Sequence, residues 1–238
     1  MAGEVRAHAV LLDAMGTLLR FEDPAPRLRA SMRGRFGVDV GAAAAGAAIR
    51  AEIAFYRAHL HSGGDIAALA ALRERSADAM RPALPPALAR APTGELTAAL
   101  LDAIAFSAYP DAAPALRALR AAGCALVVVS NWDVSLHERL AETGLGALVD
   151  GAVASAELGA AKPAPAIFEH ALTRAGVPAE RAWHVGDSVD EDVEGALAAG
   201  IRPVLVARDG ARRAPPGVPV VDGLDALPGL VAAGDPYA

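Results

Sequence analysis

The sequence predicts an α/β fold in which a doubly wound parallel sheet carries an all-helical domain inserted after its first strand. Three features of the 238-residue chain support this prediction. A short apolar run, Ala9–Leu12, comes first and is typical of a buried strand. A long segment rich in alanine, arginine and leucine follows, without any strand pattern. The remainder alternates apolar strands with helices of roughly ten residues, which is typical of a parallel sheet covered on both faces.

The inserted domain is predicted at residues 20–106. Its helical interpretation depends on composition, since alanine and leucine lose little side-chain freedom in a helix. Glycines and prolines interrupt the segment repeatedly and would separate four or five helices. No strand is predicted between Leu19 and Cys124.

Beyond Ser107 strands and helices alternate. Strands are predicted at 124–129, 148–153, 182–185, 203–207 and 219–221. Helices are predicted at 112–122, 134–142, 164–175 and 191–199. Three of these helices are followed by a glycine, a residue type that commonly ends helices. The chain is therefore predicted to form a Rossmann-like core from residues 1–19 and 107–238, interrupted by the helical domain.

The composition disfavours several classes of protein. The net charge of −6 argues against a protein that binds the phosphate backbone of nucleic acids. Cys124 is the only cysteine, which excludes a disulfide within the chain and a thiolate metal site. No leader-like segment precedes the first strand, and no apolar run has the length of a membrane span. We therefore expect a soluble cytoplasmic protein without a nucleic-acid or membrane partner.

Asp13 is the first candidate functional residue. It ends the apolar run 9–12, and a carboxylate in that position is costly unless something uses it. Gly16 marks a sharp turn directly afterwards. Ligands bind at the carboxyl ends of strands in open α/β sheets, so Asp13 is a candidate nucleophile. The alternative is that Asp13 only caps a loop.

Three further segments are predicted at the same edge of the sheet. Ser130-Asn131 follows a strand, Lys162-Pro163 precedes a helix, and the acidic segment 186–192 runs from a strand into a helix. Together with the segment 13–17 they match, in order and spacing, four motifs of the haloacid dehalogenase-like hydrolase superfamily. The chain thus resembles subfamily I, whose α-helical cap lies between the first and second motifs.

The resemblance implies an aspartyl-phosphate mechanism with Mg²⁺ as cofactor. Asp13 would attack phosphorus. The metal would be held by Asp13, Asp187, Asp192 and the main-chain carbonyl of Met15, which are the hard oxygen ligands that Mg²⁺ prefers. The substrate would be a small phosphorylated molecule, while the oligomeric state is left open.

The remaining motif residues have roles that the resemblance also implies. Lys162 would offset the negative charge between Asp13 and the phosphate. Ser130 and Asn131 would bind phosphate oxygens, and Thr17 would donate a hydrogen bond to the Asp13 carboxylate.

Lys162 carries an argument of its own. It is the only lysine among 22 basic residues. A chain that otherwise uses arginine places a compact ammonium at this one position, where the wide planar guanidinium group would not substitute for it.

Met15 departs from the family pattern. Phosphatases of the superfamily usually carry at this position a second aspartate that moves a proton, and methionine cannot do so. General acid–base catalysis contributes roughly 10²–10⁴-fold. A phosphohydrolase would then need a good leaving group, such as that of an acyl phosphate, or an acid from elsewhere. Asp133 is the nearest candidate in the core, although it can equally cap the helix that follows.

Two alternatives to a phosphohydrolase stay open. A carbon–halogen hydrolase needs no acid because halide leaves unprotonated, and the dehalogenases of the superfamily lack the second aspartate and work without metal. A non-catalytic protein that binds phosphate or a partner is the other alternative. Retention of both Asp187 and Asp192 favours Mg²⁺ and hence the phosphohydrolase.

The early helical domain carries an excess of arginine. This excess would suit either a solvated helix face or a second anionic group on the substrate. The arginines concerned are Arg27, Arg29, Arg33, Arg35, Arg50 and Arg57.

Overall fold

The computed structural model describes residues 8–233. Within it the chain divides into two compact units. One unit comprises the residues up to Arg20 together with those from Ser107 onward, and the other is Phe21–Phe106. Among residues 8–233 no helix is both long enough and apolar enough to cross a membrane.

A six-stranded parallel sheet forms the centre of the first unit. Its strands are β1 (Ala9–Leu12), β4 (Ala125–Ser130), β5 (Gly151–Ala154), β6 (Ala182–Gly186), β7 (Arg202–Val206) and β8 (Val220–Val221). The spatial order is β5-β4-β1-β6-β7-β8, and every neighbouring pair is parallel. The predicted α/β class with a parallel, doubly wound sheet is therefore confirmed.

The central strands are buried on both faces, which explains why β1 and β4 read as continuous apolar runs rather than alternating ones. Leu12 pairs with Val128 of β4 and with Val185 of β6. This register brings the carboxyl ends of three strands together where the chain crosses from one side of β1 to the other. Such a switch point is where open α/β sheets bind ligands.

Helices cover the sheet and connect its strands. They are α5 (Ala112–Ala121), α6 (Leu136–Glu142), α7 (Ser155–Leu158), α8 (Pro165–Ala175), α9 (Gly195–Ala198) and α10 (Leu227–Ala232). The helix predicted at 191–199 differs from the observed one. Val189–Glu194 is a π-helix and precedes α9, and π-helical turns are frequent at functional sites.

The second unit is helical. Its helices are α1 (Pro24–Phe36), α2 (Ala42–His59), α3 (Ile66–Ala79) and α4 (Thr93–Ala103). Asp23 and Asp65 accept hydrogen bonds from Ala25 N and Ala68 N and so begin α1 and α3. Apolar side chains from α1, α2 and α4 form its core, including Leu28, Met32, Ile49, Leu96 and Leu100.

The prediction that no strand lies between Leu19 and Cys124 is wrong. Residues Leu19–Phe21 (β2) and Phe106–Ala108 (β3) pair as a separate two-stranded sheet. Three residues are too few to show an alternating pattern, so pairing rather than local sequence determines these strands.

Candidate active site

Lys162 is the centre of a buried cluster of charges at the carboxyl edge of the sheet. Its Nζ lies 2.6 Å from Asp13 Oδ1 and 2.5 Å from Asp192 Oδ1. The three side chains are almost fully buried. Asp187 completes the group, because one oxygen from each of the three aspartates lies within 4.8 Å of the others.

Asp13 is positioned by both strands that flank β1. Its N–H donates to Val185 O of β6 at 2.9 Å, which continues the sheet pairing by one residue. Its Oδ1 accepts a hydrogen bond at 3.0 Å from the hydroxyl of Ser130, the last residue of β4. The carboxyl group is thus directed by residues that are more than a hundred positions away in sequence.

Two glycines allow the aspartates to approach the main chain. Gly16 has a φ of +80°, and a Cβ on it would collide with the Asp187 carboxyl group. A Cβ on Gly186, at the end of β6, would collide with the carboxyl group of Asp192. Close packing of carboxylates against bare backbone therefore explains a glycine in each of these motifs.

Asp192 is held by three donors. Oδ1 accepts from Lys162 and, at 2.8 Å, pairs with His184 Nε2, while Oδ2 accepts from Ser188 N at 3.0 Å. Burial alone would raise the pKa of Asp192, but Lys162 and His184 keep it well below its usual range. Asp192 is therefore ionised.

The contact of His184 with Asp192 is not among the predictions from the sequence. The available signal was a polar residue in β6, a strand that is otherwise apolar and leads directly into the acidic segment.

Asn131 positions the main chain of Lys162. Its Oδ1 accepts from Lys162 N at 2.8 Å, and its Nδ2 donates to Lys162 O at 3.0 Å. One N–H of the amide remains for a phosphate oxygen. The predicted contacts of Ser130 and Asn131 with phosphate stay predictions.

When all three aspartates are ionised, they carry more charge than the two cations that contact them, Lys162 and Arg212. Burial raises the pKa of Asp13 to about 7, with help from Asp192 and Asp187 and against the opposing effect of Lys162. Burial would lower the pKa of Lys162, but Asp13 and Asp192 raise it above its usual value. Three carboxylates around one buried ammonium are a set of hard oxygen donors with excess negative charge, which fits Mg²⁺.

The predicted hydrogen bond from Thr17 to Asp13 is wrong. Thr17 is fully buried, and its Oγ1 has no hydrogen-bond partner among the described residues. Thr17 follows the turn at Gly16. The Asp13 carboxyl group is instead contacted by Ser130, at the end of β4, and by Lys162, in the loop between α7 and α8.

Two other candidates have limited support. Asp133 accepts from Ser135 N at 2.7 Å, a contact that is typical of the turn preceding α6. The Met15 carbonyl stays a predicted metal ligand.

Part of the arginine excess of the helical unit is paired with carboxylates of that unit. Arg33 lies 2.7 Å from Asp39, and Arg35 lies 2.9 Å from Asp102. These exposed pairs favour a solvated helix face over the binding of a substrate anion.

Two arginines of the site escaped the sequence analysis. Arg212 Nη1 lies 2.5 Å from Asp187 Oδ2 and also contacts the Asp187 carbonyl. Arg208 donates to the carbonyls of Gly16 and Thr17. Both arginines follow β7. Only this position, next to the carboxyl edge of the sheet, could have indicated from the sequence that they belong to the site.

The protein is thus of the α/β class, with a cluster of carboxylates at the carboxyl edge of its parallel sheet. The family model described as haloacid dehalogenase-like hydrolase matches residues 7–200, and the chain therefore belongs to that family. The resemblance inferred from the four motifs is thus confirmed.

Known proteins are similar to parts or all of the chain. A glyceraldehyde 3-phosphate phosphatase of Methanopyrus kandleri is 41% identical over 42% of this chain and 43% of its own length. A phosphoserine phosphatase of Thermus thermophilus is 40% identical over 42% of this chain and 41% of its own length. The chain thus spans less than half the length of these curated relatives.

A solved structure resembles nearly the whole chain. The 2-haloacid dehalogenase from Pseudomonas syringae pv. Tomato DC3000 has a TM-score of 0.64 and 25% identity. The match covers 95% of this chain and 98% of that one.

Proposed function

We propose that the protein is a Mg²⁺-dependent phosphohydrolase that acts on a small phosphorylated molecule through an aspartyl-phosphate on Asp13. The observation that carries this proposal is the buried Lys162 ammonium between Asp13 and Asp192, with Asp187 beside them. The phosphatases among the relatives support the same class of reaction.

Asp13 is the nucleophile in this mechanism. A carboxylate oxygen forms a bond to phosphorus as the bond to the leaving oxygen breaks, and water later cleaves the aspartyl-phosphate to release inorganic phosphate. Lys162 stabilises the negative charge that accumulates between Asp13 and the phosphoryl group. Mg²⁺, held by Asp13, Asp187 and Asp192, would supply charge neutralisation of the phosphoryl oxygens.

Met15 defines the class of leaving group. Since methionine cannot protonate a departing oxygen, substrates whose leaving groups are stable as anions, such as acyl or aryl phosphates, should react best. The same lack of a base should slow the hydrolysis of the aspartyl-phosphate.

The test is phosphate release from an aryl phosphate with and without Mg²⁺. We expect release only with metal, and none from Asp13→Asn, whose fold should stay intact by circular dichroism. Asp133→Asn is the matched control, because asparagine retains the turn that begins α6; we expect its turnover to be unchanged. Equal turnover of Asp13→Asn and the wild type would rule out Asp13 as the nucleophile.

A carbon–halogen hydrolase is the second candidate. Met15 and the similarity to the 2-haloacid dehalogenase structure favour it. The cluster of three carboxylates opposes it, since halide displacement needs no metal. Halide release from a 2-haloacid without Mg²⁺ would replace the first proposal with this one. Binding of phosphate without release of either product would instead indicate a non-catalytic protein.

A further inference from the structure

Arg208 connects the loop that follows Asp13 to a second part of the core. Its Nη2 donates to Thr17 O at 2.8 Å and its Nε to Gly16 O at 3.3 Å. Nη1 and Nη2 donate to the two carboxylate oxygens of Asp111 at 2.9 and 3.0 Å. The guanidinium group lies 3.7 Å from the centre of the Tyr109 ring. Four hydrogen bonds and one stacked ring leave this side chain a single orientation.

We propose that Arg208 is a positioning residue for phosphoryl transfer, which holds the nucleophile loop 13–17 in its reactive geometry. The proposal rests on the proposed function. A Cβ on Gly16 would collide with the Asp187 carboxyl group, and the carbonyl of Gly16 accepts from Arg208. Arg208 also binds the next carbonyl, that of Thr17. The turn at Gly16, which lies between Asp13 and Asp187, therefore cannot rotate without breaking hydrogen bonds.

Asp111 makes the arginine immobile in turn. Its Oδ2 accepts from Leu224 N at 2.8 Å, and a Cβ on Gly223 would lie only 2.8 Å from the same oxygen. Burial raises the pKa of Asp111, but hydrogen bonds from Arg208 and Leu224 N outweigh this effect and lower it. The Asp111 carboxylate is therefore charged, fixed on both sides, and available as a permanent partner for Arg208.

The contacts require a guanidinium group. They use a planar fork with several N–H groups at fixed angles, whereas an ammonium offers three donors from one atom. Lysine at position 208 would keep the charge but could not reach Asp111 and both carbonyls at once.

Arg81 offers a matched control. It lies in the helical unit, is 23% exposed against 19% for Arg208, and also joins an aspartate to main-chain carbonyls. Its Nε donates to Asp78 at 2.7 Å and its Nη1 to Ala91 O at 2.8 Å. Replacing Arg81 removes a comparable set of contacts without touching the nucleophile loop.

The experiment compares kcat and KM for an aryl phosphate in Arg208→Met, Arg208→Lys and Arg81→Met. Because misplacement by about 1 Å costs on the order of 10²-fold, we expect kcat of Arg208→Met to fall roughly 10- to 100-fold with little change in KM. Arg208→Lys should recover only a small part of this loss. Arg81→Met should keep its kcat despite a similar drop in thermal stability.

A second measurement separates this inference from the proposed function. Hydrogen exchange of the amides of Gly16, Leu18 and Leu19, which are bonded within the loop, should accelerate in Arg208→Met and not in Arg81→Met. If the wild type releases no phosphate, the proposed function fails and exchange alone decides the positioning role. The positioning role would be overturned if amide exchange in Arg208→Met equalled that of the wild type. A kcat of Arg208→Met within about threefold of the wild type would overturn it as well.

Discussion

At the scale of single residues, the chemistry of the site depends on which functional groups surround each charged side chain. Lys162 Nζ is shared by two carboxylates at 2.5 and 2.6 Å, and Ser130 is bonded to one of them. Met15 stands in the nucleophile loop where a proton-transferring group would complete the chemistry. In the proposed mechanism this one side chain would affect both the rate and the preferred leaving group.

We predict that Met15→Asp increases turnover of an aryl phosphate by about tenfold or more, because a carboxyl group at this position can move a proton. Methionine and leucine have similar volumes, so Met15→Leu is the control and should show no gain. Steady-state phosphate release measures the effect. A decrease in Met15→Asp with folding intact would mean that Met15 serves a different chemistry.

At the scale of elements, α2 carries the most unusual group outside the site. Glu52 lies on the buried face of this helix, in register with Ala45, Ala48 and Ile49. Burial alone raises its pKa from 4.5 to about 7. The helix thus buries an ionisable group whose charged form destabilises the helical unit.

This burial predicts a pH dependence of stability. The folded chain binds the Glu52 proton more tightly than the unfolded chain, so stability should fall as pH rises from about 4.5 to about 7 and level off above that. The shift corresponds to a loss of about 3 kcal/mol. Glu52→Gln should remove this loss in urea unfolding at pH 5 and pH 8.

Glu74→Gln is the control, since this glutamate of α3 is exposed. It should leave the pH dependence of unfolding as in the wild type. A Glu52→Gln variant with the pH dependence of the wild type would show that the buried carboxyl group is not its source.

At the scale of the whole molecule, the sheet converts distant sequence positions into one charge cluster. Asp13, Asp187 and Asp192 meet because two neighbouring parallel strands, β1 and β6, end side by side. Their mutual repulsion is a cost of folding that a bound divalent cation would offset.

We therefore predict that Mg²⁺ raises the thermal stability of the protein. A ligand that binds only the folded state at a hundred times its Kd contributes about 2.7 kcal/mol. Asp187→Asn should abolish most of the shift, whereas Asp133→Asn should retain it, as followed by thermal unfolding with Mg²⁺ or EDTA. An equal shift in both variants would place the metal elsewhere.

Much of this protein could be predicted from its sequence. Continuous apolar runs identify the buried parallel strands of the main sheet, because both faces of such strands are covered. Since all these strands run in one direction, the residues that follow them must gather at one edge. The sequence alone therefore predicts that Asp13, Lys162, Asp187 and Asp192 lie close together.

The tertiary structure alone decided the remaining contacts. The pairing of β2 with β3 and the hydrogen bonds of Arg208 depend on partners far away in the chain. His184 and Asp192 are only eight residues apart, and the turn between them from β6 into the π-helix sets their contact. Local sequence determines which elements form, whereas the neighbour of a given side chain is determined by the packing of those elements.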